Sequence, residues 1–69
     1  MKLSARNQLP GKVLEVTPGA TTTHVRIQVA GGAVITASIT NEAAEELGLK
    51  AGIDAYAVIK ASDVMVGIA

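Results

Sequence analysis

From His24 to Val29 the chain alternates strictly between polar and apolar side chains: His24, Val25, Arg26, Ile27, Gln28, Val29. A period of two sends successive side chains to opposite faces of a pleated strand, so this segment predicts a strand with one wet and one buried face. Upstream, Lys12 to Thr17 predicts a second strand. It ends at Pro18 and Gly19, where a fixed φ beside a permissive backbone makes a turn. The two strands read as a hairpin. Gly31 and Gly32 supply the next turn, and the β-branched run from Val34 to Ile39 returns as a third strand.

One short helix interrupts the pattern. Thr40 or Asn41 caps it, Glu42, Glu45 and Glu46 suit its first turns or an exposed face, and Gly48 is a left-handed stop. Ala43, Ala44 and Leu47 form its inner stripe. Beyond a turn at Lys50, Ala51 and Gly52, the residues Ile53, Ala55, Ala57 and Ile59 alternate with Asp54, Tyr56, Val58 and Lys60 as a fourth strand, and Val64, Val66 and Ile68 predict a fifth. Five short strands with a helix between the third and fourth give a mainly β fold compatible with a small five-stranded OB-like barrel.

Residues 1–69 leave room for a single domain, and a monomer of this size buries roughly 60% of its unfolded surface. The chain is 49% hydrophobic and has no Cys, so neither disulfides nor a Cys-rich metal cluster can staple it. Burial against copies of itself is the remaining route to stability. Six basic and six acidic side chains sum to zero, and Tyr56 is the one aromatic residue. Both facts disfavour a nucleic-acid partner, which needs a basic face or stacking rings. No apolar run approaches the roughly 20 residues that span a bilayer, and the first residues are polar where a signal peptide has its apolar core. The expected location is the cytoplasm, with no membrane partner.

No catalytic constellation is visible, and the chain is not expected to be an enzyme. Cysteine chemistry is excluded, His24 alone gives no basis for direct metal ligation, and Ser4, His24 and Asp54 have no spacing that recommends a hydrolytic triad. Pro10, Gly11 and Lys12 lack the glycine spacing and following hydroxyl of a phosphate loop and read as a turn with a solvated lysine.

Two basic, hydroxyl-bearing segments carry more information: Ser4, Ala5, Arg6, Asn7, Gln8 near the start, and Lys60, Ala61, Ser62, Asp63 near the end. A guanidinium and an ammonium are donors only and a hydroxyl can donate, whereas a doubly charged tetrahedral oxyanion presents acceptors only. Arg6 and Lys60 match its charge, Ser4 and Ser62 offer hydroxyls, and N–H groups at Ala5, Ala61 or Ser62 can converge where the chain turns. From composition alone, Arg6 reads equally as a solvated residue of an N-terminal arm, Lys60 as the polar end of a strand, and Ser62 with Asp63 as the cap of a turn.

The run SARNQLPGKV from Ser4 to Val13 resembles the signature of the molbindins, small cytoplasmic molybdate-binding proteins of the Mop type. They are related to the TOBE, OB-like domains of molybdate transporters and regulators. Ala30, Gly31 and Gly32 at the central turn, Glu45 to Leu49 (EELGL), and Lys60 to Met65 (KASDVM) extend the likeness over essentially the whole chain. The resemblance implies an OB-like barrel whose strands are exchanged or paired between subunits. It also implies a homohexamer built as a trimer of dimers, with more than one type of oxyanion site at its interfaces. The primary site falls at Ser4, Ala5, Arg6, Lys60, Ala61 and Ser62, contributed by different subunits. The implied ligand is molybdate or tungstate, with no organic cofactor, and the implied role is storage and homeostasis of molybdenum.

Gly19, Ala20 and Thr21 are weaker candidates for oxyanion contact, because a turn followed by strand-favouring threonines explains the same letters. His24 would make binding strengthen as pH falls if it lay near the anion, although a surface strand position accounts for it as well. Pro10 stands where the family motif has a polar residue, and Ala61 where a hydroxyl is common; an Ala61 N–H still donates. The alternative reading is an OB-like interaction module for nucleic acid or protein without oxyanion function.

Overall fold

The computed structural model describes all residues, 1–69. Four strands form one antiparallel sheet in the order β3-β2-β1-β4, with β1 at Asn7–Pro18, β2 at Thr22–Val29, β3 at Val34–Thr40 and β4 at Asp54–Ile59. One helix, α1 (Asn41–Glu46), joins β3 to β4, and 3-10 turns lie at Ala30–Gly32 and Ala61–Asp63. The mainly β fold with a single helix agrees with the sequence expectation. The alternation in β2 is complete: Thr23, Val25, Ile27 and Val29 are buried, while Thr22, His24, Arg26 and Gln28 are exposed.

Strand β1 begins earlier than expected, at Asn7 rather than Lys12. Pro10 lies inside it without breaking a ladder. Val13 N–H donates to Ile53 O across the β4 side, which sends the alternate backbone N position, that of Pro10, toward β2. The β2 pairing starts only at Gly11↔Val29, so the proline lacks a donor at a place where no acceptor strand runs. A second irregularity lies between Val13 and Glu15, where the register slips by a bulge at Leu14. The extra residue lets Val13 and Val16, an odd and an even position, both turn inward, and it bends the strand.

The core consists of Val13, Val25, Ile27, Val29 and Ala57, with Leu9, Val16, Ile35, Leu49 and Ile53 packed against it. Gly31 and Gly32 have φ of 88° and 92°, a region open to glycine and strained for other residues, so the turn between β2 and β3 depends on them. Thr40 caps α1 by accepting the Ala43 N–H at 3.1 Å, and Gly48, at φ 63°, ends the helical path.

The turn with a solvated lysine expected at Pro10, Gly11 and Lys12 is strand, with Lys12 paired to Asp54, and two further sequence expectations need correction. Leu47 is not on the inner stripe of the helix. The helix is six residues long, so Leu47 falls at its C-cap and stands 66% exposed; Ala44 is buried as expected, and Leu49 packs on the core after the Gly48 reversal. The fifth strand is also absent within the chain. Val64 to Ala69 has no regular structure, and Met65, Val66 and Ile68 are 93%, 91% and 96% exposed. An open sheet explains this: with only four strands, β3 and β4 are both edges and no barrel closes over the segment. The surface confirms the openness, 5277 Å² against about 4,000 Å² for a compact monomer of this mass.

On the outer face Lys12 Nζ meets Asp54 Oδ1 at 2.7 Å, and Arg26 Nη1 lies 3.6 Å from Glu15 Oε1. The hydrogen bond from Lys12, then the charge of its ammonium, holds the Asp54 carboxyl below its ordinary value of 3.8. Both partners are well exposed, so the pair contributes little and is screened by salt. Because the folded-state pKa is lowered, that contribution is present above the ordinary value and disappears as pH falls through the lower one. Urea titrations of the wild type and Asp54→Asn are therefore expected to differ slightly near neutrality and to converge in acid; a difference that grows in acid contradicts the assignment. For the core, Val13→Ala is expected to cost about 2–3 kcal/mol in chemical denaturation at fixed protein concentration, from two lost methyl groups and the space they leave.

Candidate anion-binding site

The register between β1 and β4 runs out at Asn7↔Ile59. Ser4, Ala5 and Arg6 therefore precede the same rung of the sheet that Lys60, Ala61 and Ser62 follow, and the two sequence-predicted segments leave the sheet at one end within a single chain. Asn7 latches that end by donating from Nδ2 to Ile59 O at 3.2 Å. The chain then closes the 3-10 turn Ala61–Asp63, with Asp63 N–H on Lys60 O at 2.9 Å and Val64 N–H on Ala61 O at 3.3 Å. Gln8 Nε2 donates to Ala5 O at 3.2 Å.

The backbone accounting at this end is uneven, and the carbonyls of Ser4, Arg6 and Ser62 accept nothing from within the chain. The carbonyls of Ala5, Ile59, Lys60 and Ala61 accept hydrogen bonds from within the chain, while the N–H groups of Ala5, Arg6, Ala61 and Ser62 donate to nothing in it. Arg6 and Lys60 are also free of carboxylate partners, since the two ion pairs use Lys12 and Arg26. Ser4, Arg6, Lys60 and Ser62 are exposed and Ala5 is half-buried. Asp63 adds one exposed carboxylate beside this cluster and forms no ion pair with Lys60. Two uncompensated cations, two hydroxyls and four idle N–H groups make an end of the sheet that offers donors and positive charge to an anion.

The secondary candidates lie elsewhere. Gly19, Ala20 and Thr21 form the turn at the far end of β1, twelve residues of strand away, and are not brought to Arg6 or Lys60 within the chain. Gly19 N–H closes the turn on Thr22 O at 2.7 Å, as the structural reading expects. Asn41 then clamps it: Nδ2 donates to Gly19 O at 3.0 Å and Ala20 O at 3.4 Å, its N–H to Thr21 O at 3.2 Å, and its Oδ1 accepts the buried Thr23 hydroxyl at 2.6 Å. Asn41, read from sequence only as a possible cap, is the organising residue of this end. The sequence carries no signal for this role, because the carbonyls that Asn41 holds lie more than twenty residues away. His24 sits on the outer face of β2, opposite Thr17 and Ser38.

Surface depressions do not coincide with the donor cluster. One of about 760 Å³ is lined by Pro10, Lys12, Gln28, Asp54 and Tyr56 among others, but its single cation is already neutralised by Asp54. A smaller one of about 270 Å³ lies between Val16, Thr23, Asn41 and Leu49. Neither depression offers free positive charge to compensate an oxyanion for lost water, and the unpaired donors lie outside both. No group of three or more His, Asp or Glu side chains gathers to hold a metal ion directly, and no helix is long and apolar enough to cross a membrane.

Residues 3–66 match the TOBE domain. The chain belongs to the TOBE family. Among TOBE relatives, it is 47% identical over 68 residues to a probable molybdenum-pterin-binding protein of Haemophilus influenzae, covering 99% of both chains. The TOBE fold described above superposes on the crystal structure of MopII from Clostridium pasteurianum (apo form) with a TM-score of 0.91, at 45% identity over 97% of this chain and 100% of that one. It also superposes, with a TM-score of 0.94 and 48% identity, on the cytoplasmic molybdate-binding protein ModG with molybdate bound, where all of this chain corresponds to 49% of the other.

The clamp at the far end of β1 is open to test. Asn41→Ala leaves the Thr23 hydroxyl buried without its acceptor and is expected to cost about 1–3 kcal/mol. Adding Thr23→Val, which removes the orphaned group, is expected to recover part of that loss; a further full loss contradicts the clamp.

Proposed function

We propose that the chain binds molybdate, and the nearly isosteric tungstate, at the donor cluster of Ser4, Ala5, Arg6, Lys60, Ala61 and Ser62. The observation that carries this reading is the pairing of two unneutralised cations with four unengaged N–H groups at one end of β1 and β4. Removing a dianion from water is costly unless the site balances the charge and replaces the lost hydrogen bonds. Arg6 and Lys60 supply two positive charges, the hydroxyls of Ser4 and Ser62 and the four N–H groups supply directional donors, and the carbonyls of Ala5, Lys60 and Ala61 are occupied elsewhere. The relatives' own descriptions, molybdenum-pterin-binding and molybdate-binding, support the choice of ligand.

The site is completed by assembly. Its residues are mostly exposed in one subunit, where bulk water competes for every donor. The open edges of β3 and β4, the exposed apolar segment from Val64 to Ala69 and the excess surface are what a partner subunit covers. Strands exchanged or paired between copies complete the OB-like barrel, in a homohexamer arranged as a trimer of dimers. A second class of oxyanion site at Gly19, Ala20 and Thr21 fits the N–H groups of Ala20 and Thr21, which find no acceptor within the chain. His24 modulates that class only if assembly brings it close. Binding across interfaces stabilises the hexamer by linkage, which suits cytoplasmic storage and homeostasis of molybdenum.

Titration calorimetry of ligand-stripped protein with molybdate, beside sulfate and phosphate, tests the reading. Arg6→Ala and Lys60→Ala are each expected to weaken molybdate binding about 10- to 100-fold, the worth of a charge-assisted contact, while the control Lys50→Ala leaves it unchanged. Wild-type affinity in both site variants refutes the assignment. Binding of nucleic acid in place of oxyanions favours an interaction module.

A further inference from the structure

In a trans peptide the carbonyl points opposite to the N–H of the same unit, so holding a carbonyl fixes where the next residue's N–H points. A loop whose carbonyls are held away from a ligand therefore keeps the matching N–H groups turned toward it. In the turn after β4 the backbone does this itself, because Asp63 and Val64 N–H groups occupy the Lys60 and Ala61 oxygens. The segment before β1 is not helical and has no such ladder. Its Ala5 carbonyl is held instead by a side chain: Gln8 Nε2 reaches back three residues to Ala5 O at 3.2 Å. The Arg6 N–H, trans to that oxygen in the same peptide, and the Ala5 N–H of the preceding peptide stay unengaged.

We propose that Gln8 is a positioning residue for the oxyanion: its amide ties back the Ala5 carbonyl so that the Ala5 and Arg6 N–H groups, and not that oxygen, face the ligand. The role rests on the assignment of the site to Ser4–Arg6 and Lys60–Ser62. It holds whichever subunit supplies the second segment, because the Gln8 to Ala5 contact lies within one chain. Gln8 is exposed and packs against none of the core, so its substitution separates positioning from folding. Asn7 performs the neighbouring task of latching β1 to the Ile59 carbonyl, and leaves Gln8 as the side chain that acts on the anion-binding segment itself.

The test compares molybdate affinity, the melting temperature of the ligand-free protein and the ¹³C carbonyl resonance of Ala5 in full-length wild type, Gln8→Met, Gln8→Glu and Gln8→Arg. Met keeps the length and loses the donor, Glu also places an acceptor against the Ala5 oxygen, and Arg restores a donor. The expected order of affinity is wild type near Arg, then Met weaker by about 3- to 10-fold, then Glu weaker still. The Ala5 carbonyl resonance moves in Met and Glu, and the ligand-free melting temperature stays put. If charge alone matters, Met binds like wild type and Arg binds more tightly, which overturns the proposal. A loss of affinity matched by a lower melting temperature makes Gln8 structural and overturns it too. Arg6→Ala keeps the two claims apart: if it weakens binding while Gln8→Met does not, only the positioning role falls, and if the wild type does not bind molybdate, both fall.

Discussion

Strand β1 is hydrogen-bonded on both sides, to β2 from Gly11 to Pro18 and to β4 from Asn7 to Lys12. That double commitment shapes the rest of the molecule. The two halves of β1 face different partners, so the strand has to change direction in the middle, and the bulge at Leu14 provides the bend while keeping Val13 and Val16 on the core side. Gly11 sits where both ladders overlap. A Cβ there would fall 2.3 Å from the Gln28 carbonyl oxygen, so no side chain fits at the crossover. The same division places Pro10 beyond the end of β2 and brings the start of β1 and the end of β4 together, where the two donor-bearing segments leave the sheet.

The chemistry at that end follows from an imbalance and not from a pocket. The turn and the Asn7 and Gln8 amides hold the carbonyls of Ala5, Ile59, Lys60 and Ala61, no acidic neighbour pairs with Arg6 or Lys60, and the N–H groups of Ala5, Arg6, Ala61 and Ser62 have no acceptor within the chain. In water such donors are merely solvated. Enclosed by a second copy, they become costly unless an acceptor arrives, and a dianion with four oxygens meets that need. In the proposed function, assembly and ligand binding depend on the same unpaired groups, and the exposed Val64–Ala69 segment directly follows the turn that carries half of them.

Strand identity was legible because alternation is a local property: the pattern from His24 to Val29 is reproduced residue by residue, and Ile53, Ala55, Ala57 and Ile59 turn inward as their spacing requires. The glycine turns and the Thr40 cap were legible for the same reason. What escaped depends on partners distant in sequence. Pro10 reads as a break until the end of β2 is known, the Leu14 bulge is invisible without its opposite strand, and the alternation at Val64, Val66 and Ile68 describes a strand with nothing in the chain to pair it. At the proposed site, Ser4, Arg6, Lys60 and Ser62 announce themselves by donor chemistry. Gln8 and Asn41 do not, because an amide shows its role only through the carbonyl it holds.

The most direct measurement is anomalous diffraction at the molybdenum edge from crystals of the protein grown with molybdate. The account predicts a peak bounded by a Ser4–Arg6 segment and a Lys60–Ser62 turn, within hydrogen-bonding reach of the Ala61 and Ser62 N–H groups. A peak confined to the Gly19–Thr21 turn or to the depression beside Tyr56, or no peak at saturating molybdate, would contradict it.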